Sequence, residues 1–281
     1  MVSLLPLIRT KYNTFSKNQK IIADYILNHT DSASMLSITD LAKYCDTSET
    51  TVMRFLKKMD YDSYQTFRIN LAREVSKDPS GTINDELRPG DSIHEIKAKV
   101  ISHNLTAVKD VAHSLPDALI QSVLDTLFQA ERIFFFGVGA SAAIASDALH
   151  KFAKIGLNVN SFPDPHLMNI LLSHAGPGDV LFAISHTGES LEVLKTVDIA
   201  KNRGVQIIGM TSFSNSTLAK SVDFFLSSST NDKKYHSEAM ASRLVQLTII
   251  DILYLSLFMS HEDVFYTALD ESRLAVAKNK T

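Results

Sequence analysis

The sequence predicts a small all-α domain followed by an α/β domain with a doubly wound parallel sheet, and three observations carry that prediction. In the first 77 residues apolar side chains recur at helical spacing. Beyond Arg132, short apolar runs without polar alternation take turns with helical segments, the pattern of strands covered on both faces. Between these regions, Lys77-Asp-Pro-Ser-Gly-Thr-Ile-Asn-Asp85 has the composition of a linker. The expected organisation is a helical domain over residues 1–77, a linker over 78–91 and an α/β domain over 92–281.

A chain of 281 residues with 45% hydrophobic content can build two real cores. Its net charge of -3 hides a mild asymmetry, because residues 1–76 hold 10 Lys/Arg against 8 Asp/Glu and the remainder is acidic. That balance permits nucleic-acid binding by the first domain without demanding it. A single cysteine, Cys45, excludes an intrachain disulfide and offers no metal cluster, so a reducing, cytoplasmic setting is expected. Neither a signal peptide nor a membrane span is expected, since no run of ~18 consecutive apolar residues occurs.

Ser16 opens the first clear helix, with Ile21, Ile22, Tyr25, Ile26 and Leu27 on its apolar side. A short helical piece follows near Ala33–Leu36, then a helix over Ile38–Cys45 capped by Thr39, a turn at Asp46-Thr47, and a helix Glu49–Lys58 capped by Ser48. In that helix Val52, Phe55, Leu56 and Met59 form the buried stripe, leaving Glu49, Thr50, Thr51, Arg54 and Lys57 more exposed. Two short helices joined by a tight turn fit a helix-turn-helix whose second helix enters the major groove. Thr47, Ser48, Thr50 and Thr51 are short enough for close approach, and Arg54 and Lys57 are long enough to reach phosphates or a guanine edge. A plain three-helix bundle with a solvated face has the same pattern. The helix Ser63–Val75, with Phe67, Leu71 and Val75 on one face, closes the domain.

Arg88-Pro-Gly-Asp91 reads as a turn, followed by a helix from Ser92 to about His113 and another from Pro116 to about Gln129. His94, His103 and His113 lack convergent carboxylates and are read as surface or interface residues rather than metal ligands. Strands are then expected from Arg132, at Asn158–Phe162, Val180–Ser185, Val205–Met210 and Phe224–Leu226. Helices are expected after Ser141, near His166–Leu172, over Ser190–Arg203 and at Ser216–Lys220. A long core helix opens within Lys234–Asp251; its run Ile249–Met259 suggests burial on all sides, including a subunit interface. A last helix from about Asp263 ends in a basic tail.

The stretch Asp179-Val-Leu-Phe-Ala-Ile-Ser-His-Thr-Gly-Glu-Ser190 carries the functional argument. It reads as buried strand, polar loop and helix N-terminus, a junction that gathers unpaired N–H groups, a helix dipole and the hydroxyls of Ser185, Thr187 and Ser190. Such a junction suits an anion. The alternative is a turn whose Ser and Thr only cap the helix. Gly137-Val-Gly-Ala-Ser141 is a poor dinucleotide fingerprint, because Ala142 falls at the third glycine and no ribose-binding acid ends the second strand.

Leu41-Ala-Lys-Tyr-Cys-Asp-Thr-Ser-Glu-Thr-Thr-Val-Met-Arg-Phe-Leu-Lys-Lys58, with Tyr61 and Tyr64-Gln-Thr-Phe-Arg68, resembles the DNA-binding domain of the RpiR family of bacterial transcription regulators. Asp60 stands where that family usually has a glycine, a tolerable exchange at a left-handed helix end. The C-terminal part resembles the sugar isomerase (SIS) domain: Ser141 matches its first hydroxyl-bearing loop, and Ser185-His-Thr-Gly-Glu-Ser190 its second. Ser242-Arg243, Gln246-Leu247 and Asp251 match a further segment. The resemblance implies that Ser141, Ser185, Thr187 and Ser190 hold a phosphate with N–H groups near Gly188. Glu238 and His236, just before the long helix, are candidates to approach the sugar hydroxyls, with helix capping or a subunit contact as the alternatives. The implied protein is a regulator that binds a double-stranded DNA operator as a homodimer or homotetramer and responds to a phosphorylated sugar, with no cofactor and no membrane contact. The alternative is a phosphosugar isomerase with an accessory helical domain, for which Glu189, Glu238 and His186 are the acid-base candidates. A third reading is a dimerising module without a ligand.

Overall fold

The computed structural model describes residues 4–77, 87–88, 90–229 and 240–277. Contacts group the chain into two compact units, Met1–Ser114 and Leu115–Ser228 with Ser242–Thr281.

The first unit is helical: α1 Leu4–Lys11, a 3-10 turn at Tyr12–Thr14, α2 Lys17–Asn28, α3 Thr30–Met35, α4 Ile38–Tyr44, α5 Glu49–Lys58, α6 Tyr64–Lys77 and α7 Ile93–Ser114. Ser16 closes a capping box with Gln19 at the start of α2, so two orphan N–H groups are satisfied reciprocally. The cap of α4 is Ser37, whose Oγ accepts the Asp40 N–H, rather than Thr39, whose hydroxyl donates to Glu49 at 2.6 Å. Ile22, Ile26, Leu41, Val52, Phe55, Leu56, Phe67 and Leu71 meet in one core with Leu4 and Ile8. Glu74 accepts the Leu4 and Leu5 N–H groups, which ties α6 to the start of α1. Helix α7, placed by the sequence with the second domain, packs on α1 through the Arg9–Asp110 ion pair and groups with the first unit. The expected linker lies almost wholly outside the described residues; at its end the Asp91 N–H donates to Arg88 O at 3.1 Å, with Gly90 at φ +98.

The second unit alternates strand and helix: α8 Asp117–Gln129, β1 Arg132–Phe136, α9 Ala140–Lys154, β2 Val159–Asn160, α10 Pro165–Ser173, β3 Asp179–Ile184, α11 Leu191–Asn202, β4 Gln206–Thr211, α12 Thr217–Ser221, β5 Phe224–Ser227, α13 Met240–Ser260 and α14 Glu262–Ala277. All strands are parallel, in the order β2-β1-β3-β4-β5. Strand β2 is shorter than expected, two residues paired only to β1 at the sheet edge.

Alternation along the strands divides the core. Phe134, Phe136, Leu181, Ala183 and Ile207 pack on one side with Met168 and Leu172 of α10, Val193 and Val197 of α11 and Leu218 of α12. Phe135 and Phe182 form an aromatic cluster with Phe152 of α9, which meets Tyr254 of α13 edge-on. Lys151 of α9 also bridges to Asp251 of α13 at 2.6 Å. Helix α13 is long and apolar enough to cross a membrane by length and composition alone, yet Val245, Ile249, Ile250, Leu253 and Leu257 are buried within this fold. Within the single chain Leu255 is 56% and Met259 66% exposed, the part of Ile249–Met259 whose expected burial rests on a subunit interface.

Candidate functional site

In the order 2-1-3-4-5, the connection leaving β1 runs to one side of the sheet and that leaving β3 to the other. This makes the gap between β1 and β3 a topological switch point, beyond whose carboxyl ends open parallel sheets bind ligands. Phe136 pairs with Ala183, so the loops that follow emerge side by side.

The first loop is shaped by two glycines. A Cβ on Gly137 would come within 2.8 Å of the Ser141 backbone, and Gly139, at the N-terminal cap of α9, has φ +58 and ψ -125. That conformation is open essentially to glycine alone. The sharp turn buries Ser141 in the first turn of α9, with its N–H donating to Val138 O at 3.2 Å.

The second loop holds Ser185, Thr187, Gly188 and Ser190 together. The buried Ser185 hydroxyl accepts the Gly188 N–H at 3.1 Å and lies 3.1 Å from Ser190 Oγ. Ser190 occupies the N-terminal cap position of α11, but its side chain caps nothing there. Turned toward Ser185, it leaves the first-turn amides of α11 without a hydroxyl cap, which is not the arrangement of a plain capping turn. The Gly188 N–H, expected to face an anion, is directed into the loop toward Ser185. Gly188 is required for another reason: at φ +69, a Cβ would sit 2.2 Å from Ser216 Oγ and 2.9 Å from Thr211 Oγ1. Thr187 is exposed and its hydroxyl accepts the Glu189 N–H at 3.2 Å.

Glu189 and His186 have partners that the sequence did not indicate. The Glu189 carboxylate accepts the Thr217 N–H at 2.7 Å and the Thr217 hydroxyl at 2.8 Å. These bonds hold its carboxyl below the usual glutamate range and pin the loop to the start of α12. His186 Nδ1 lies 3.0 Å from Ser212 Oγ, and its carbonyl accepts from the Thr211 hydroxyl and the Ser212 N–H. Ser212, Ser216 and Thr217 pack against this loop and were not singled out from the sequence; their signal was the hydroxyl-rich Thr211–Thr217 at the end of β4. Glu238 and His236 lie outside the described residues. Among the described residues no group of three His, Cys, Asp or Glu side chains is placed to hold a metal.

In the first unit, α4 and α5 are joined by a turn in which Asp46 has φ +46 and the Thr47 N–H donates to Ala42 O at 2.9 Å. The Thr47 hydroxyl is buried and unpartnered, so it is not presented to a duplex. Ser48 caps α5 through Thr51, whose hydroxyl lies 3.0 Å from Ser48 Oγ. Thr50, Arg54 and Lys57 are exposed at one-turn intervals along α5. Asp60 ends the helix at φ +62, the left-handed conformation expected where the family has glycine. Cys45 is buried, and burial pushes its thiol up to about 11, away from reactivity at neutral pH.

Residues 2–78 match the helix-turn-helix domain of the rpiR family, and residues 126–256 match the SIS domain. A Thermotoga maritima protein named as an uncharacterized HTH-type transcriptional regulator is 36% identical over 97% of this chain and 98% of its own. The HTH-type transcriptional regulator HexR of Escherichia coli is 31% identical over 90% of this chain and 86% of its own. Among solved structures, Vibrio vulnificus NanR complexed with ManNAc-6P superposes with a TM-score of 0.63 at 27% identity, covering 99% of each chain. With both domain matches in the same order and full-length relatives of this identity, the chain belongs to the RpiR family of transcription regulators and carries a C-terminal SIS domain.

Proposed function

We propose that this regulator binds operator DNA through α4–α5 and changes that binding when a phosphorylated sugar occupies the crevice between β1 and β3. The observation that carries the reading is the pairing of the Ser141 turn with the Ser185–Ser190 loop at the switch point of the sheet. Its ligand class follows NanR, which was solved with ManNAc-6P. In this reading Ser141, Ser185, Thr187 and Ser190 face the phosphate, with the first-turn amides of α11. Gly188 shapes the loop, and Glu238 approaches the sugar. Because the hydroxyls are neutral, amides and helix dipoles supply most of the anion's stabilisation. On the DNA side Ser48, Thr50 and Thr51 allow close approach while Arg54 and Lys57 reach the duplex; Thr47 supports the turn from inside. The protein acts in the cytoplasm as a homo-oligomer on genes of carbohydrate metabolism.

Coupling requires that the sugar bind the two arrangements of the protein unequally, and the usual range is a factor of ~5 to 150 in affinity. The test is retention of operator fragments, selected from random duplexes by the purified protein, titrated with sugar phosphates at fixed salt. Operator affinity that no sugar phosphate alters would refute the coupling. The isomerase reading predicts turnover of a hexose or pentose phosphate instead. Of its candidate bases, Glu189 is engaged by Thr217, which argues against a role in proton abstraction.

A further inference from the structure

Helix α5 carries one acidic residue, Glu49, and it stands at the position nearest the start of the helix, directly after the cap Ser48. It is exposed, on the same face as Thr50, Arg54 and Lys57. Its edge of that face turns toward α4, because the Thr39 hydroxyl donates to Glu49 Oε1 at 2.6 Å. A threonine hydroxyl has one proton and a carboxylate can only accept, so the direction of this bond is fixed. Among the described residues the other oxygen, Oε2, makes no hydrogen bond or ion pair. The neighbouring hydroxyls are engaged with each other: Ser48 Oγ accepts the Thr51 N–H at 3.3 Å and lies 3.0 Å from Thr51 Oγ1. An exposed glutamate ordinarily loses rotamer freedom when it binds a partner, and the Thr39 clasp takes part of that loss in advance.

Chemistry then limits what Oε2 can meet on a duplex. Phosphate oxygens repel it. In the major groove guanine presents N7 and O6 and thymine presents O4, all acceptors; adenine sets its N6 amino group beside the acceptor N7, and cytosine presents the N4 amino group alone. The N-terminal residues of a groove-bound helix are the ones that contact base edges. Resting on the reading of α4–α5 as the operator-binding element, we propose that Glu49 is a base-reading residue: clasped by Thr39, it presents Oε2 to the N4 amino group of a cytosine, at one operator position for each α5 bound. Thr39 is its positioning residue. Arg54 and Lys57 supply attraction to any duplex, whereas Glu49 supplies rejection, since a guanine or thymine at its position sets acceptor against carboxylate.

The test is binding of the full chain to operator duplexes selected from a random pool and then varied base pair by base pair, at fixed salt, with and without sugar phosphates. The wild type should prefer cytosine at one position for each α5 by about fivefold, the low end for a side-chain contact to a base edge. Glu49→Gln keeps the shape and adds a donor, so it should move the preference at that position toward adenine, whose N6 and N7 an amide matches. Glu49→Ala should level the preference; Thr39→Ala should weaken it and Thr39→Ser restore it. Preferences at other positions should stand in all four variants. If the Glu49 variants change affinity uniformly across duplexes or not at all, or if the position they alter is one where the wild type prefers guanine or thymine, the pair is only a clip between two helices. The proposal is then overturned with operator binding standing. If the wild type discriminates among no duplexes, the operator-binding reading itself fails.

Discussion

The two ends of β3 solve different problems with different chemistry. At the amino end, Asp179 pairs in register with Arg132 of β1, whose guanidinium donates to both carboxylate oxygens, at 2.9 and 2.6 Å. Burial would raise the Asp179 carboxyl, but these bonds and the Gly176 N–H more than offset it and hold the group below its ordinary value of 3.8. At the carboxyl end, five residues later, the described side chains of the loop place hydroxyls rather than cations beside the crevice, and Glu189 is turned to the α12 amide. Charge meets charge where the sheet is locked; dipoles and hydroxyls are left where a ligand must come and go. Under the proposed reading, an anion held by hydroxyls and helix dipoles exchanges reversibly, as a sensor requires.

Substitutions at both ends sharpen that contrast. The largest effect is expected from Gly188→Ala, which drives a methyl into Ser216 and Thr211 at a left-handed backbone position. A loss of about 3 kcal/mol in denaturant unfolding is predicted, from overpacking plus backbone strain. Wild-type stability in that variant would mean the loop is not held against α12 as described. Next, Arg132→Ala leaves the nearly buried Asp179 carboxylate with only its amide partner; discounted for the partial exposure of Arg132, the cost is about 2 kcal/mol. Ligand binding should be untouched, since the change lies at the opposite end of the strand.

A smaller effect follows from Glu189→Ala, which frees the exposed start of α12. Its melting temperature should fall less than that of Arg132→Ala, and any phosphosugar turnover should persist; abolished turnover would restore Glu189 as a catalytic base. The smallest is a pH effect. Asp179 has a depressed folded value, so its contribution to stability is full above its ordinary value and is lost as pH falls through the folded one. Unfolding free energy measured from pH 6 down to pH 2 should therefore fall less steeply in Arg132→Ala than in the wild type.

Most of the architecture was legible because β1, β3 and β4 are continuous apolar runs and their helices keep 3.6-residue spacing. The hydroxyls of the loop were legible for the same reason, as the abrupt end of an apolar run. Long-range pairings were not legible. Glu189 finds Thr217 across 28 positions, and His186 finds Ser212 across 26, distances over which local patterning says nothing. Gly188 was read as a donor of its amide when its missing Cβ is what the packing uses. Helix α7 looked like part of the second domain because the linker precedes it, but its anchor is Arg9, about a hundred residues upstream. The exposure of Leu255 and Met259 could not be read from an apolar run, which marks what avoids water without saying what covers it.

The central claim, a phosphorylated sugar held by the two hydroxyl loops, is tested most directly by thermal shift of the full chain against a panel of sugar phosphates, repeated on Ser141→Ala and Ser190→Ala. Ligand at a hundred times its Kd stabilises the folded state by ~2.7 kcal/mol. The account predicts a clear upward shift for at least one sugar phosphate in the wild type, reduced in both variants. A shift that survives both substitutions undiminished would place the phosphate elsewhere and contradict it.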